Sequence, residues 1–229
     1  MHLRPLGRTG LEISEIGYGA WGIGQSMWIG AEDADSLQAL ERAIDLGVNF
    51  IDTALAYGDG HSEQLVVRVV RAHEETVYVA SKVPPKNMRW PASPEDHVDA
   101  AFPGDHIRSC TETSLRNLGL DVIDVQQFHV WHDDWLEQGD WFETVETLKQ
   151  EGKIRAWGVS INDHAPGTAL ELVRSGRVDT VQVIHNVFDQ SPEDELFAAV
   201  AEHDVGVIAR VPFDEGGLTG AMPRSSTIA

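Results

Sequence analysis

Residues 121–160 read DVIDVQQFHVWHDDWLEQGDWFETVETLKQEGKIRAWGVS and contain the unit on which the fold rests. A run rich in Val and Ile (121–130) is followed by a loop, an amphipathic segment near 141–151 and a second apolar run at 154–160. Short runs that are apolar on both faces are typical of strands in a parallel sheet covered by helices. The stretch therefore predicts a strand, a helix and a second strand parallel to the first.

The same unit recurs along the chain. Further strand-like runs lie at 15–20, 48–52, 76–83, 179–186 and 205–211, and helix-like segments lie near 33–46, 61–73, 105–118, 165–175 and 192–203. Ahead of the first run, HLRPLG (2–7) and LEISEI (11–16) flank the turn RTG (8–10) and predict a small β-hairpin. Unbroken alternation of strand and helix predicts a single α/β domain over residues 1–229 with a parallel sheet.

The number of strands bears on how the sheet closes. A doubly wound sheet and a (β/α)8 barrel both fit the alternation, and the barrel is favoured because no second domain or long crossover interrupts it. A closed barrel has eight strands and takes about 250 residues, whereas seven strand-like runs are visible here. We therefore expect a parallel TIM-type barrel with an N-terminal hairpin, incomplete at about seven strands and lacking its final β/α units. Open edges of such a barrel would favour self-association.

Composition excludes several classes of partner. The chain has 17 Lys+Arg against 37 Asp+Glu, a formal net charge of −20. Such an acidic protein is a poor ligand for nucleic acid or for an anionic membrane surface. The single cysteine, Cys110, excludes an internal disulfide and is typical of a reducing compartment. The composition predicts an acidic, cytoplasmic protein with neither nucleic acid nor membrane as partner.

The segment GYGAWG (17–22) matches the G-x-G-x-x-G pattern of dinucleotide-binding turns. That pattern requires a helix to open at the third glycine, so that the helix N-terminus faces the pyrophosphate. No helical periodicity begins here before about Asp33. We therefore expect a glycine-rich loop at the mouth of a barrel, not a Rossmann site.

Four polar residues stand at or beside the ends of three successive strand-like runs. Asp52, Lys82 and His129 close the runs, and Tyr57 follows Asp52 by five residues. The C-terminal ends of parallel barrel strands are where catalytic residues lie. Each residue alone has a structural explanation, as a turn cap, a solvated strand end, a core histidine or a packed ring. The four together favour a catalytic site.

This combination suits the reduction of a carbonyl group. Tyrosine, with a pKa of about 10, is a weak acid near neutrality unless its surroundings tune it. A neighbouring lysine would lower that pKa, and a carboxylate would hold the lysine charged and in place. A histidine donor can orient the carbonyl oxygen and stabilise charge that develops on it.

The chain resembles the aldo-keto reductase superfamily. The matching segments are LGRTGLEISEIGYGAWGIG (6–24), NFIDTALAYGDGHSE (49–63), VASKV (79–83), SLRNLGLDVIDVQQFH (114–129), GKIRAWGVS (152–160) and VIARVPFDEGGLTG (207–220). The resemblance implies a (β/α)8 barrel with an N-terminal hairpin that reduces aldehydes and ketones with NADPH, in some members NADH. It makes Tyr57 the general acid, Lys82 and Asp52 the residues that set its pKa, and His129 the residue that orients the substrate.

The resemblance also implies where the cofactor, NADP or alternatively NAD, is bound. Residues matching the cofactor positions are Asp52, Ser160, Asn162 and Gln182 around the nicotinamide, and Arg210, Pro212, Phe213, Gly217 and Leu218 along the ring and pyrophosphate. Many members carry an aromatic residue at the position of Arg210, where a guanidinium could stack instead. The family's anchor for the adenine and its 2′-phosphate follows the eighth strand, so the choice between NADP and NAD rests on analogy.

Aromatic residues mark the expected substrate pocket. Trp28, Trp90, Trp131 and Trp135 all fall in loops predicted on the catalytic face. Such a rim suits apolar or aryl carbonyl compounds, and stacking on a sugar ring is an alternative.

Two alternatives to a reductase remain, a metal-dependent hydrolase and a non-catalytic scaffold. The segment HVWHDDW (129–135) offers His129, His132, Asp133 and Asp134 as metal ligands, but no matching ligand pair closes another strand, and we expect no metal. A metal-dependent barrel hydrolase would need such a site. A non-catalytic remnant or binding module on the same scaffold is the remaining alternative to a reductase, because the C-terminal cofactor anchor is missing.

Overall fold

A short hairpin precedes the main sheet in this computed structural model, which describes residues 1–25 and 31–220. Strands β1 (Leu3–Pro5) and β2 (Glu12–Ser14) pair antiparallel. The predicted hairpin is confirmed.

The main sheet has seven parallel strands in sequence order. They are β3 (Tyr18–Gly19), β4 (Phe50–Asp52), β5 (Tyr78–Val83), β6 (Ile123–Phe128), β7 (Ile154–Ser160), β8 (Thr180–Ile184) and β9 (Gly206–Arg210). The sheet curls into a nearly closed barrel, which confirms the predicted α/β class. Within the described residues β3 pairs with β4 alone and β9 with β8 alone.

Helices follow the strands as the sequence pattern predicts. They are α1 (Asp33–Asp45), α2 (His61–Val70), α3 (Val98–Ala101), α4 (Gly104–Leu118), α5 (Trp141–Gln150), α6 (Leu170–Arg174) and α7 (Leu196–Glu202). The four-residue α3 was not predicted, since one turn is too short for periodicity to register. No described helix is long and apolar enough to cross a membrane.

The hairpin closes one end of the barrel. Its Leu6 and Leu11 are buried with Phe50 of β4, Ala80 of β5 and other inward residues of the strands. Arg8, in the hairpin turn, donates hydrogen bonds to carbonyl oxygens in the segments just before β8 and β9. These bonds fix the hairpin against the barrel. The opposite end, where the strands terminate, is therefore the open one.

Side-chain alternation sorts polar from apolar residues inside the barrel. Successive strand residues point to opposite faces, so Phe50 and Asp52 share the inward face of β4, and Ala80 and Lys82 that of β5. The apolar member of each pair lies at the closed end with the hairpin. The polar members therefore gather at the open end.

The glycine-rich segment after β3 serves a packing role. Gly22–Gly24 form a single 3₁₀ turn, and among the described residues the next helix starts at Asp33, so no α-helix opens at the third glycine. Gly58 adopts φ 65°, and a Cβ there would lie 2.0 Å from the Gly24 carbonyl oxygen. These glycines let the Tyr57 loop approach the turn closely, in agreement with the expectation that this is not a Rossmann site.

Candidate active site

Lys82 is the centre of the polar cluster at the open end. It is fully buried, and its Nζ donates to Asp52 Oδ2 at 2.6 Å and to the Thr53 carbonyl oxygen at 2.8 Å. Burial opposes the ammonium charge, but Asp52 and Tyr57 outweigh it, and the pKa of Lys82 is raised above its ordinary value. The lysine is therefore charged at neutral pH.

Tyr57 lies beside that ammonium. Lys82 Nζ is 3.4 Å from the Tyr57 hydroxyl and 5.0 Å from the ring centroid. Burial raises the pKa of Tyr57, and although Lys82 acts in the lowering direction, the net shift is upward. The lowering of the Tyr57 pKa by Lys82 was predicted from the sequence, but the larger effect of burial was not. The phenol is protonated at neutral pH.

His129 completes the group of four. Its ring centroid lies 5.5 Å from that of Tyr57, edge to face. Burial, followed by the charges of Lys82 and Arg210, holds the pKa of His129 well below its usual value, so the imidazole is neutral. Its Nδ1 is buried with no hydrogen-bond partner among the described residues. A neutral ring has one N–H to donate.

Gln127 is a member of the cluster that sequence reasoning missed. It is fully buried on β6, opposite Lys82 in register, and its Nε2 donates to Asp52 Oδ1 at 3.1 Å. Both carboxylate oxygens of Asp52 are thus occupied, one by the lysine and one by the amide. The available signal was the spacing of two between Gln127 and His129, which places both on the inward face.

A second buried network, also missed, supports the cluster from outside the barrel. Glu63, fully buried on α2, accepts hydrogen bonds from Ser81 Oγ at 2.6 Å and from Asn117 Nδ2 at 2.8 Å. Ser81 precedes Lys82, and α2 follows the Tyr57 loop. Glu63 therefore joins the two segments that carry the proton donor and its lysine.

Two polar side chains on β7 and β8 face the open end beside the cluster. Ser160 and Gln182 are in register, and they are 3% and 2% exposed. Neither side chain has a hydrogen bond to the part of the protein that the structure describes. On the far side of Asp52, a Cβ added to Gly19 would meet nothing within 4 Å. The open end thus combines uncommitted polar groups with free space.

Arg210 occupies the end of β9. Its Nη2 donates to the Ile161 carbonyl oxygen at 3.1 Å and forms an ion pair with Asp163. Its planar guanidinium is thereby held between the ends of β7 and β9, where the resemblance had suggested a stacking group. Pro212, Phe213, Gly217 and Leu218 follow in an exposed loop, in agreement with a surface that a ligand could cover.

Asn162 already has partners in the protein. It is 8% exposed, its Oδ1 accepts from the Ala92 amide at 3.1 Å, and its Nδ2 donates to the Ala92 carbonyl oxygen at 3.3 Å. The resemblance assigns this amide to the cofactor, whereas the structure shows it binding the loop between β5 and α3.

The structure corrects part of the predicted substrate pocket. Trp131 and Trp135 are 0% and 1% exposed; the Trp131 ring packs against Phe128, Trp141 of α5 and Trp157 of β7, and the Trp135 ring packs against those of Trp131 and Phe102. Both belong to the main hydrophobic core cluster, which contains buried residues of the strands and of the helices. Neither lines the open end, and Trp28 lies outside the described residues.

Trp90 differs from those two tryptophans. It is 43% exposed, and its ring meets that of His129 edge to face at 5.8 Å. It is thus beside the cluster, where the sequence argument expected a pocket wall.

The segment after His129 is structural. Asp133 accepts hydrogen bonds from the backbone amides of Glu171 and Leu172 at the start of α6, and from Trp131 Nε1. Among the described residues, no group of three or more His, Cys, Asp or Glu side chains is arranged to hold a metal ion.

Comparison with known proteins identifies the family. The model of the Aldo/keto reductase family matches residues 15–228. The chain belongs to this family. It is similar to the NADH-specific methylglyoxal reductase of Escherichia coli, with 30% identity over 96% of this chain and 70% of that protein. Family members of this kind are NAD(P)-dependent oxidoreductases.

Solved structures of aldo-keto reductases share the fold. The holo form of aldo-keto reductase AKR11C1 from Bacillus halodurans superposes with a TM-score of 0.80 at 27% identity, covering 100% of this chain and 72% of that one. An aldo-keto reductase from Klebsiella pneumoniae in complex with NADPH gives a TM-score of 0.73 at 27% identity, covering 99% and 74%. The chain spans about two thirds of the length of the first curated relatives that it matches.

Proposed function

We propose that this aldo-keto reductase reduces an aldehyde or ketone to an alcohol with a nicotinamide dinucleotide. The observation that carries the proposal is the position of Tyr57, whose hydroxyl lies 3.4 Å from Lys82 Nζ and whose ring lies 5.5 Å from that of His129. The reduction adds a hydride to the carbonyl carbon and a proton to its oxygen. The dinucleotide supplies the hydride when bound, and the protein must supply the proton.

Tyr57 is the proposed proton donor. It delivers its hydroxyl proton to the carbonyl oxygen and becomes a tyrosinate. Lys82 Nζ, 3.4 Å from the Tyr57 hydroxyl oxygen, stabilises the negative charge of the tyrosinate. Asp52 keeps the lysine charged, and Gln127 holds Asp52 in place. His129 donates its single N–H to the carbonyl oxygen, which orients the substrate and stabilises charge that forms there.

The chain's own residues fit a nicotinamide at the open end. Ser160 and Gln182 offer a hydroxyl and an amide with uncommitted hydrogen-bonding capacity, which matches the donor and acceptor of a carboxamide. The space beside Gly19 leaves room for a ring. Arg210 and the loop with Pro212, Phe213, Gly217 and Leu218 would lie along the rest of the cofactor.

The nature of the dinucleotide is a separate proposal. We favour NADP because one similar protein is solved with NADPH. NAD is the alternative, because another similar protein is named NADH-specific. The proposed substrate is a small carbonyl compound, and we propose neither nucleic acid nor membrane as a partner. The buried Cys110 supports a reducing, cytoplasmic location.

Tyr57→Phe tests the proposal, since it removes the proton and little else. A general acid contributes about 10²–10⁴-fold to a rate, so we expect kcat with NADPH and an aromatic aldehyde to fall by that factor. The dissociation constant of NADPH, measured by fluorescence titration, should stay the same.

Tyr78→Phe is the matched control. Tyr78 lies on β5, packed near the hairpin at the closed end, and its variant should retain full activity. Equal rates for Tyr57→Phe and the wild type would contradict the proposed mechanism and favour a scaffold without turnover.

A further inference from the structure

The loop between β5 and α3 is hydrogen-bonded to the end of β7 through Asn162. Asn162, just after β7, pairs with both backbone groups of Ala92. Within the described residues, both hydrogen bonds that reach residues 88–92 from outside the loop come from this amide. Since Ala92 and Asn162 are each 8% exposed, water competes poorly for these bonds.

The attachment stands on a rigid base. Arg210 of β9 binds the Ile161 carbonyl oxygen and pairs with Asp163, the two neighbours of Asn162. The ends of β7 and β9 are thereby joined on both sides of the asparagine. The residues on either side of Asn162 are therefore held by β9, independently of the loop.

The loop carries Trp90 two residues before the attachment point. The Trp90 ring lies 5.8 Å from that of His129 with an interplanar angle of 88°, and His129 contacts Tyr57. A carbonyl oxygen placed between Tyr57 and His129 therefore has its substituent beside Trp90. An exposed indole favours a flat, apolar group, by burial of apolar area and by ring contact.

We infer that Asn162 is a positioning residue for the substrate: through its paired hydrogen bonds to Ala92 it holds Trp90 against His129, and it thereby sets the affinity for carbonyl compounds with a flat apolar or aryl substituent. This inference rests on the proposed reductase function and names the substrate class of that site. A side-chain amide has two hydrogens and two acceptor lone pairs. One of each remains after pairing with Ala92, so contact with a carboxamide is compatible with this role.

Hydrogen exchange at the Ala92 amide tests the attachment without turnover. In Asn162→Ala we expect this amide to exchange about tenfold faster or more. Asn162→Asp keeps an acceptor for the Ala92 amide but has no donor for the Ala92 carbonyl oxygen, so its protection should lie between those of the wild type and Asn162→Ala, which also covers the case that the alanine variant fails to fold.

Asn186→Ala is the matched control for exchange. Asn186 is equally buried at the same end of the barrel, but it binds Val211 and Phe188. Its variant should leave Ala92 protected.

Steady-state kinetics test the consequence for the substrate. Asn162→Ala should raise KM for benzaldehyde by about two- to tenfold, the range expected for an aromatic contact, and should raise KM for propanal less. Trp90→Ala should do the same. If Asn162 acts through Trp90, the double variant is no worse than Trp90→Ala alone.

Two results would overturn the inference. One is unchanged Ala92 protection in Asn162→Ala; the other is multiplication of the two KM effects in the double variant, with weaker NADPH binding in both backgrounds. That second result would assign Asn162 to the dinucleotide. A chain that shows Ala92 protection but reduces no aldehyde would refute the proposed function and leave the attachment standing, so the two failures are distinguishable.

Discussion

Replacing Lys82 by methionine separates the two tasks of this residue, pairing with Asp52 and serving Tyr57. Methionine has a similar length and fills the same space without the charge. Lys82→Met leaves the Asp52 carboxylate facing an apolar group at a site where its side chain is 16% exposed. It also deprives the Thr53 carbonyl oxygen of a donor at 2.8 Å.

The expected magnitude follows from burial. Removing one partner of a buried ion pair costs about 3–5 kcal/mol, because the remaining charge has no compensation. The lysine side chain is 0% exposed and the Nζ to Oδ2 distance is 2.6 Å. We therefore expect the free energy of unfolding to fall by about 3–5 kcal/mol at pH 7.

A second substitution should restore stability alone. Asp52→Asn in the Lys82→Met background removes the unpaired charge and keeps an oxygen that can accept from Gln127. Most of the lost stability should return. Activity should not, because neither variant has an ammonium to stabilise the Tyr57 anion.

Urea unfolding followed by fluorescence gives the stabilities, and NADPH oxidation gives the rates. Lys149→Met is the control, since Lys149 and Asp179 pair at the same 2.6 Å but with a lysine side chain that is 26% exposed. There the expected loss is about 1 kcal/mol or less. If Lys82→Met cost no more than Lys149→Met, or if the double variant regained activity, the reasoning would be refuted.

Three further outcomes are expected. Gly19→Leu fills the space beside Asp52 and should weaken NADPH binding more than tenfold while the melting temperature stays within a few degrees. Because the unfolded state protonates His129 near its ordinary pKa and the folded state only well below it, stability should decline as pH falls from about 6.5, by up to about 1.4 kcal/mol per pH unit; urea titrations of His129→Gln should show a shallower slope. Size-exclusion chromatography tests the predicted self-association through the sheet edges at β3 and β9, and a clean monomer would count against edge pairing.

The fold was largely predictable because its pattern is local. All seven parallel strands lie within the predicted apolar runs, and β7 matches its predicted bounds at both ends. Apolar residues on both faces of a strand are legible in the sequence because each strand is buried on both sides. The 3₁₀ turns that start the segments near 165 and 192 were not separable from the helices that follow, since both have similar apolar spacing.

The side chains of the site were only partly predictable. Strand ends brought Asp52, Lys82 and His129 together as expected, since parallel strands place their C-terminal ends at one edge. The prediction that Trp131 lines the substrate pocket was wrong, because the position of a residue in a loop does not show which way its large side chain packs. Gln127 and the contacts of Asn162 with Ala92 were missed for a different reason: the partners lie 75 and 70 residues away, and a single sequence shows no such pairing.

The direction of the Tyr57 pKa changes the account of how the site works. A lysine beside a tyrosine suggests a preformed tyrosinate, but burial disfavours any charge on the phenol and wins over Lys82. The proton needed for reduction is therefore present at neutral pH, as a donor requires. In the proposed mechanism, Lys82 contributes most after the proton has left, when its charge lies 3.4 Å from the Tyr57 oxygen. Stabilisation that develops as the proton moves lowers the barrier, whereas equal stabilisation of the substrate and the transition state would not.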